Sequence, residues 1–197
     1  MVADASPART VLITPSSRLF GLLCSDRAIE GRRGWLDCRR YGDCVVALAP
    51  QSLAVMDIVA AQEPGSRLVF IGLCGGLADV AVGDVVAVST SQALDGRCYP
   101  SSCAVPGLRS VTNIQVPSLL YGASGHDWLA GQAATVDLET GAVLAQASAS
   151  GVDAAAVLVV SDLNRAPGVF AGNLDDIAPS LRVACEAAWA CAEGSRS

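Results

Sequence analysis

Two carboxylates, Glu139 and Asp162, fall within one continuous stretch, AATVDLETGAVLAQASASGVDAAAVLVVSDLN, from Ala133 to Asn164. The stretch reads as strand, helix, strand, with Glu139 at the start of the helix and Asp162 at the end of the second strand. In open α/β sheets, ligands sit beyond the carboxyl ends of the strands. Asp162 is therefore expected where chemistry happens, with Glu139 beside it. Carboxyl groups in such a place can hold or transfer a proton. Each also has a plainer role: Asp162 can cap the turn 161–164, and Glu139 suits the positive end of a helix dipole.

The elements that must position them follow from the pattern. Thr135, Val136 and Asp137 alternate as a strand does, and Ala142, Leu144, Ala145 and Ala149 have helical spacing. Gly151 stops that helix. Ala154 to Val160 is short, wholly apolar and rich in valine, as a strand buried on both faces is. Upstream, strands are predicted over 10–15, 44–49, 67–73 and 85–90. One or two short strands are expected within 20–43, with Arg18 in a loop. A helix is predicted over 51–62, ended by Glu63-Pro64-Gly65. Residues 91–132, with three prolines and five glycines, read as loop-rich, with some strands departing from simple parallel order. The last helix is expected within 173–194, capped by Asp175 or Asp176, with Pro179 in its first turn.

Strands alternating with helices imply α/β: a three-layer α/β/α domain with a mixed, mostly parallel central sheet. At 197 residues, 52% hydrophobic, the chain is expected to be one globular domain over 1–197. A net charge of -6 without an extended basic cluster argues against nucleic acid as a partner. Arg32, Arg33, Arg39 and Arg40 make a local basic patch, read as a solvated loop. No apolar run is long enough to span a bilayer, and the N-terminus lacks a signal-peptide pattern, so the cytosol is the expected compartment. The eight cysteines include no C-x-x-C pair. With a single histidine, His126, they point to reduced thiols rather than disulfides or a metal site; Cys185 and Cys191 read as small core residues.

Gly72-Leu73-Cys74-Gly75-Gly76-Leu77 reads as a glycine turn that lets a ligand approach backbone N–H groups. It is neither G-x-G-x-x-G nor a P-loop. Taken in order, I-G-L-C-G-G-L, V-G-D-V-V, V-D-L-E-T-G-A and V-V-S-D-L-N are more specific. Over roughly Val45 to Asn164 they resemble the nucleoside phosphorylase and nucleosidase superfamily. It includes purine nucleoside phosphorylases, uridine phosphorylase and methylthioadenosine/S-adenosylhomocysteine nucleosidase.

The resemblance implies a role at each matching position. Glu139 would accept hydrogen bonds from ribose hydroxyls, and Leu138 would form the apolar floor under the sugar. Asp162, preceded by Ser161, would face the purine N7. Cys74, Gly75 and Gly76 would border sugar and base, and Arg18 would anchor an anion. Cleaving the C1′–N9 bond leaves positive charge on the sugar and negative charge on the base. An acid at N7 neutralises the base, and a carboxylate at the sugar favours the cationic centre.

The departures concern the nucleophile. Leu73 stands where family members place Ser or Thr to hold phosphate or water. Thr14-Pro15-Ser16-Ser17-Arg18 only loosely resembles the phosphorylase G-D-P-x-R loop, and no glutamate precedes Glu30. An aliphatic residue at 73, with I-Q-V-P-S at 114–118, is similar to the hopanoid-associated branch. The resemblance thus implies cleavage of the N-glycosidic bond of a purine nucleoside by water or phosphate. No cofactor is expected beyond phosphate as a possible co-substrate, and the partner is expected to be a second copy in a homodimer or larger homo-oligomer. The rival reading is a nucleoside-binding protein that has lost nucleophile activation. His126-Asp127-Trp128 reads as a surface loop that could instead border the 5′ side; Tyr121 and Trp128 read as core residues that could instead stack on a base.

Overall fold

The computed structural model describes residues 10–25, 37–49, 57–119, 123–163 and 174–194. In chain order the elements are β1 (Thr10–Thr14), α1 (Ser17–Cys24), β2 (Asp37–Tyr41), β3 (Cys44–Leu48), β4 (Arg67–Gly76), β5 (Val85–Ala93), β6 (Cys98–Pro100) and β7 (Arg109–Gln115). They continue with α2 (Ala123–Ala130), β8 (Thr135–Asp137), α3 (Thr140–Ala149), β9 (Asp153–Asp162) and α4 (Ala178–Glu193). The expected strand–helix–strand stretch is β8, α3 and β9. Gly151, with φ +66°, turns the chain after α3, where Val152 N–H bonds Ala147 O at 2.9 Å.

The sheet is mixed. Among the described residues it has nine strands in the order β2-β3-β1-β4-β8-β7-β5-β6, with β9 pairing both β4 and β5. Five of the nine pairings are parallel and four antiparallel. Because β9 joins β4 to β5, strands β4, β8, β7, β5 and β9 form a closed ring, which removes free edges there.

β9 shows why its sequence is apolar throughout. Ala154, Ala156, Leu158 and Val160 share a core cluster with Val143, Leu144 and Ala147 of α3. The alternate residues, Ala155, Val157 and Val159, share another with Leu19 and Leu23 of α1 and Leu181, Ala184 and Ala188 of α4. Helices thus cover both faces of this strand.

Several segments differ from the expectation. The segment after β1 is not simply a loop: Ser16 caps α1, its Oγ accepting Leu19 N–H at 3.3 Å, so Arg18 lies in a helix. The loop-rich stretch 91–132 also holds β6, β7 and α2, which the expectation did not place. Short β strands with exposed faces carry little apolar signal, and Pro100 inside β6 itself reads as a strand breaker. Asp175 and Asp176 do not cap α4: the N-cap is Ile177, and Asp175 instead pairs with Arg18. Arg39 and Arg40 lie on β2, with Arg39 5.7 Å from the centre of the Phe20 ring; Arg32 and Arg33 lie outside the described residues. Of the helix expected at 51–62, residues 57–60 are helical and 51–56 lie outside the described residues. All eight cysteines are free thiols, and Cys185 and Cys191 are buried. Among the described residues no helix is long and apolar enough to cross a membrane.

Candidate active site

A gap along one edge of β4 creates the site. β9 occupies one edge of β4 from Arg67 to Gly75. β1 and β8 must therefore share the other edge. β1 runs parallel and ends its pairing at Phe70, while β8 runs antiparallel and pairs only with Gly75 and Gly76. The chain ends of β1 and β8 thus approach, from opposite directions, the stretch 71–74, which pairs with β9 but with neither of them. The ordinary carboxyl-end crevice of a parallel sheet is here closed from the far side by a strand of opposite sense.

A cavity of about 320 Å³ opens there, lined by Pro15, Ser16, Ser17, Leu73, Cys74, Gly75, Leu119, Asp137, Leu138, Glu139, Ser161 and Asp162. That volume lies within the range of small-molecule sites, about 300–1,000 Å³. Three of the lining side chains are carboxyls, and none of the twelve is Arg, Lys or His. Among the described residues no group of three or more His, Cys, Asp and Glu is placed to hold a metal ion.

A β-bulge aims Asp162. Along β4 and β9, Cys74 pairs with Val160 but Gly75 pairs with Asp162, so Ser161 is the extra residue. One added residue turns the following side chain to the other face. The Ser161 hydroxyl lies 2.9 Å from Asp162 Oδ2 and 3.2 Å from the Cys74 carbonyl oxygen, so its one proton is divided between two acceptors, the carboxyl and the end of β4.

Glu139 takes the N-cap position of α3 without spending its side chain on a cap bond. That service falls to Asp137, whose Oδ2 accepts Thr140 N–H at 3.1 Å as well as the Thr140 hydroxyl. Asp137 Oδ1 accepts from Asn113 Nδ2 at 2.9 Å. Asn113 is itself fixed: its Nδ2 also donates to Ser91 Oγ at 2.9 Å and its Oδ1 accepts from Thr135 Oγ1 at 3.0 Å. Gln115 Oε1 accepts Ala142 N–H at 2.6 Å, a second bond to the start of α3. Burial, and then the negative charge of Asp137, push the Glu139 carboxyl from its ordinary 4.5 up to about 7, against a smaller opposing effect of the Leu138 backbone N–H. Asp137 is raised by burial, opposed by its bonds from Thr140, Asn113 and the Glu139 backbone N–H.

No family model matches the sequence, and no curated protein matches it. Solved structures do. The chain superposes on 5′-methylthioadenosine/S-adenosylhomocysteine nucleosidase from Helicobacter pylori with butyl-thio-DADMe-Immucillin-A at TM-score 0.80 and 10% identity, over 96% of this chain and 100% of that one. It matches native futalosine hydrolase of Helicobacter pylori at TM-score 0.79 and 10% identity, over 94% and 97% of the two chains. It matches the Campylobacter jejuni methylthioadenosine/S-adenosylhomocysteine nucleosidase at TM-score 0.74 and 13% identity, over 93% and 98%. The chain has the nucleosidase fold. These neighbours are members of the nucleoside phosphorylase and nucleosidase superfamily.

On this nucleosidase fold, six of the eight residues singled out in the sequence line one cavity: Glu139, Asp162, Leu138, Ser161, Cys74 and Gly75. Two do not. Gly76 is packed instead, since a Cβ there would lie 2.9 Å from Val80 Cγ2 and 3.0 Å from Leu163 Cδ2. Arg18 turns to Asp175, 2.5 Å away. The expected glycine turn is also a continuation of β4 through Gly76. Cys74 offers no nucleophile: its thiol points to Val159 O at 3.6 Å, and burial, with Asp137 and Asp162 adding to it, holds its pKa well above the ordinary range. His126 and Trp128 lie on α2 rather than in a loop, outside the cavity lining, with His126 buried and Trp128 52% exposed; Tyr121 lies outside the described residues. Asp137 was the residue that sequence reasoning passed over. Its signal was present: a carboxylate two residues before Glu139, within a strand, has no solvent to face.

Proposed function

We propose that this chain cleaves the N-glycosidic bond of a purine nucleoside or nucleoside-like metabolite. Asp162 delivers or shares a proton at the base N7, and Glu139 holds the ribose hydroxyls above the apolar floor of Leu138. The observation that carries the reading is that Glu139 and Asp162 line the same cavity, with a nucleosidase fold around them. Charge left on the sugar is favoured by carboxylates and charge left on the base is removed by the acid.

Water is the nucleophile in this reading. Phosphate would enter a cavity whose described lining holds three carboxyls and no cation, with Leu73 where a hydroxyl would bind it. Without a cation in that lining, the phosphate charge would be left uncompensated in a partly desolvated site. The same reading takes residues 1–197 as a single nucleoside phosphorylase-like domain of three α/β/α layers. It acts in the cytosol as a homodimer or larger homo-oligomer.

The test is release of free base from adenosine, inosine, methylthioadenosine and S-adenosylhomocysteine, each with and without phosphate. Release that needs no phosphate is expected. A requirement for phosphate overturns the choice of water. A second reading, a nucleoside-binding protein with lost catalysis, draws on Pro15, Ser16 and Ser17, which line the cavity without supplying a base for water. Binding of a nucleoside without base release establishes that reading instead.

A further inference from the structure

Asp137 is 2% exposed and accepts hydrogen bonds from Asn113 Nδ2, the Thr140 N–H and the Thr140 hydroxyl. It receives donors on both oxygens, from a side chain of β7 and from the first turn of α3. A carboxylate accepting this many bonds is oriented as rigidly as the backbone around it. Its bonds to Thr140 and to the Glu139 backbone N–H fold residues 137–140 into a tight turn, and Glu139 projects from that turn. Asn113, in turn braced by Ser91 and Thr135, connects the turn to three neighbouring strands.

We propose that Asp137 is a positioning residue for Glu139: locked by Asn113 and Thr140, it aims the Glu139 carboxyl into the cavity and acts on it as a fixed negative charge. The inference rests on the proposed function only in taking Glu139 as the group that meets the sugar. Among the described residues, the titratable groups that line the cavity with Glu139 are Asp137 from β8, Asp162 from β9 and Cys74 from β4; the start of α1 presents Ser16 and Ser17, and Arg18 there is paired with Asp175. Cys74 stays a neutral thiol. As a carboxylate, Glu139 can accept one hydroxyl on each oxygen, whereas the protonated acid commits one oxygen as a donor. A fixed anion behind it delays that ionisation toward neutrality, in accord with its value of about 7. The sugar end of the site therefore switches on as pH rises.

The test follows the Glu139 carboxyl by carbon NMR on protein labelled in its Asp and Glu side chains. In the parent, Glu139 is expected to titrate near neutrality while Asp137 is already ionised. In Asp137→Asn, the Glu139 midpoint moves down by about one pH unit or more, and the acidic limb of kcat/KM moves with it. A purely structural loss lowers the rate at every pH and leaves the limb in place. An unmoved Glu139 midpoint overturns the inference. Should Asp137→Asn not fold, the parent alone suffices: an Asp137 that is still protonated where Glu139 titrates overturns it too. If the parent releases base from no nucleoside, the proposed function falls while the NMR midpoints still test this inference.

Discussion

Glu139 and Asp162 reach one cavity from opposite edges of the same strand. β9 delivers Asp162 along one edge of β4, and the turn after β8 delivers Glu139 from the other. Neither carrier strand pairs with the other among the described residues. The separation of the two carboxyls is therefore set by the width of β4 and the bulge at Ser161, not by any local turn. A site built across a central strand is held by the sheet's core, which suits a reaction that must act on both ends of one bond.

Replacing Asp162 separates proton delivery from binding. Asp162→Asn is expected to lower kcat by about a hundred- to ten-thousand-fold, the usual worth of a general acid, with KM changed only a few-fold. Steady-state release of free base measures both. An unchanged kcat removes Asp162 from the chemistry.

Ser161 gives a smaller effect in the same direction. Ser161→Ala deletes the hydroxyl 2.9 Å from Asp162 Oδ2 while keeping the bulge. A bond worth about 1.4 kcal/mol more in the transition state than before it, within the range of one neutral hydrogen bond, is about tenfold in kcat. The melting temperature should stay close to that of the parent.

Glu139→Gln should weaken binding and slow turnover together, and it also has a signature in stability. The folded protein holds the Glu139 proton up to about pH 7, whereas an unperturbed carboxyl loses it near 4.5. Between those values the folded state binds more protons than the unfolded chain, so this group's contribution to stability falls as pH rises. Gln has nothing to ionise. Thermal melts should therefore show Tm of Glu139→Gln gaining on the parent from pH 4.5 to 7 and keeping its lead above. In activity, kcat/KM of the parent should rise through about pH 7 as the carboxylate forms.

Gly141 tests the brace at the start of α3. A Cβ at this position would lie 2.9 Å from Gln115 Oε1 and 3.1 Å from Ser91 Oγ. Gln115 can move only by giving up its bond to Ala142 N–H, and Ser91 only by leaving Asn113. Gly141→Ala is expected to destabilise by about 1–3 kcal/mol, as overpacking does, read as a lower urea midpoint. It should raise KM as well, because the same contacts support the turn that carries Glu139.

The sequence made some features legible because their signal is local. β9 was readable because a strand buried on both faces must be apolar at every position. The end of α3 was readable because Gly151 takes φ +66°. Glu139 and Asp162 stood out because charge is rare beside such strands. β6 and β7 were not readable: the burial pattern of β7, with exposed residues alternating into Val111, Asn113 and Ile114, gives a weak period. The α1 helix was hidden because Pro15 and two serines spell a turn, while Ser16 is its cap. Arg18 read as a possible anion ligand from its loop position, whereas its contact with Asp175, far along the chain, is a long-range fact no local pattern carries.

By itself, the order of residues determined which groups were available: two carboxylates at element ends, a glycine-rich strand end, and no glutamate before Glu30. Tertiary structure decided what they could do together. Pairing of β4 with β9 on one edge and with β1 and β8 on the other is a long-range choice, and only that choice brings Glu139 to the cavity of Asp162. The charge state of Glu139 was decided in the same way, because it depends on burial and on Asp137, and neither exists until the sheet has closed.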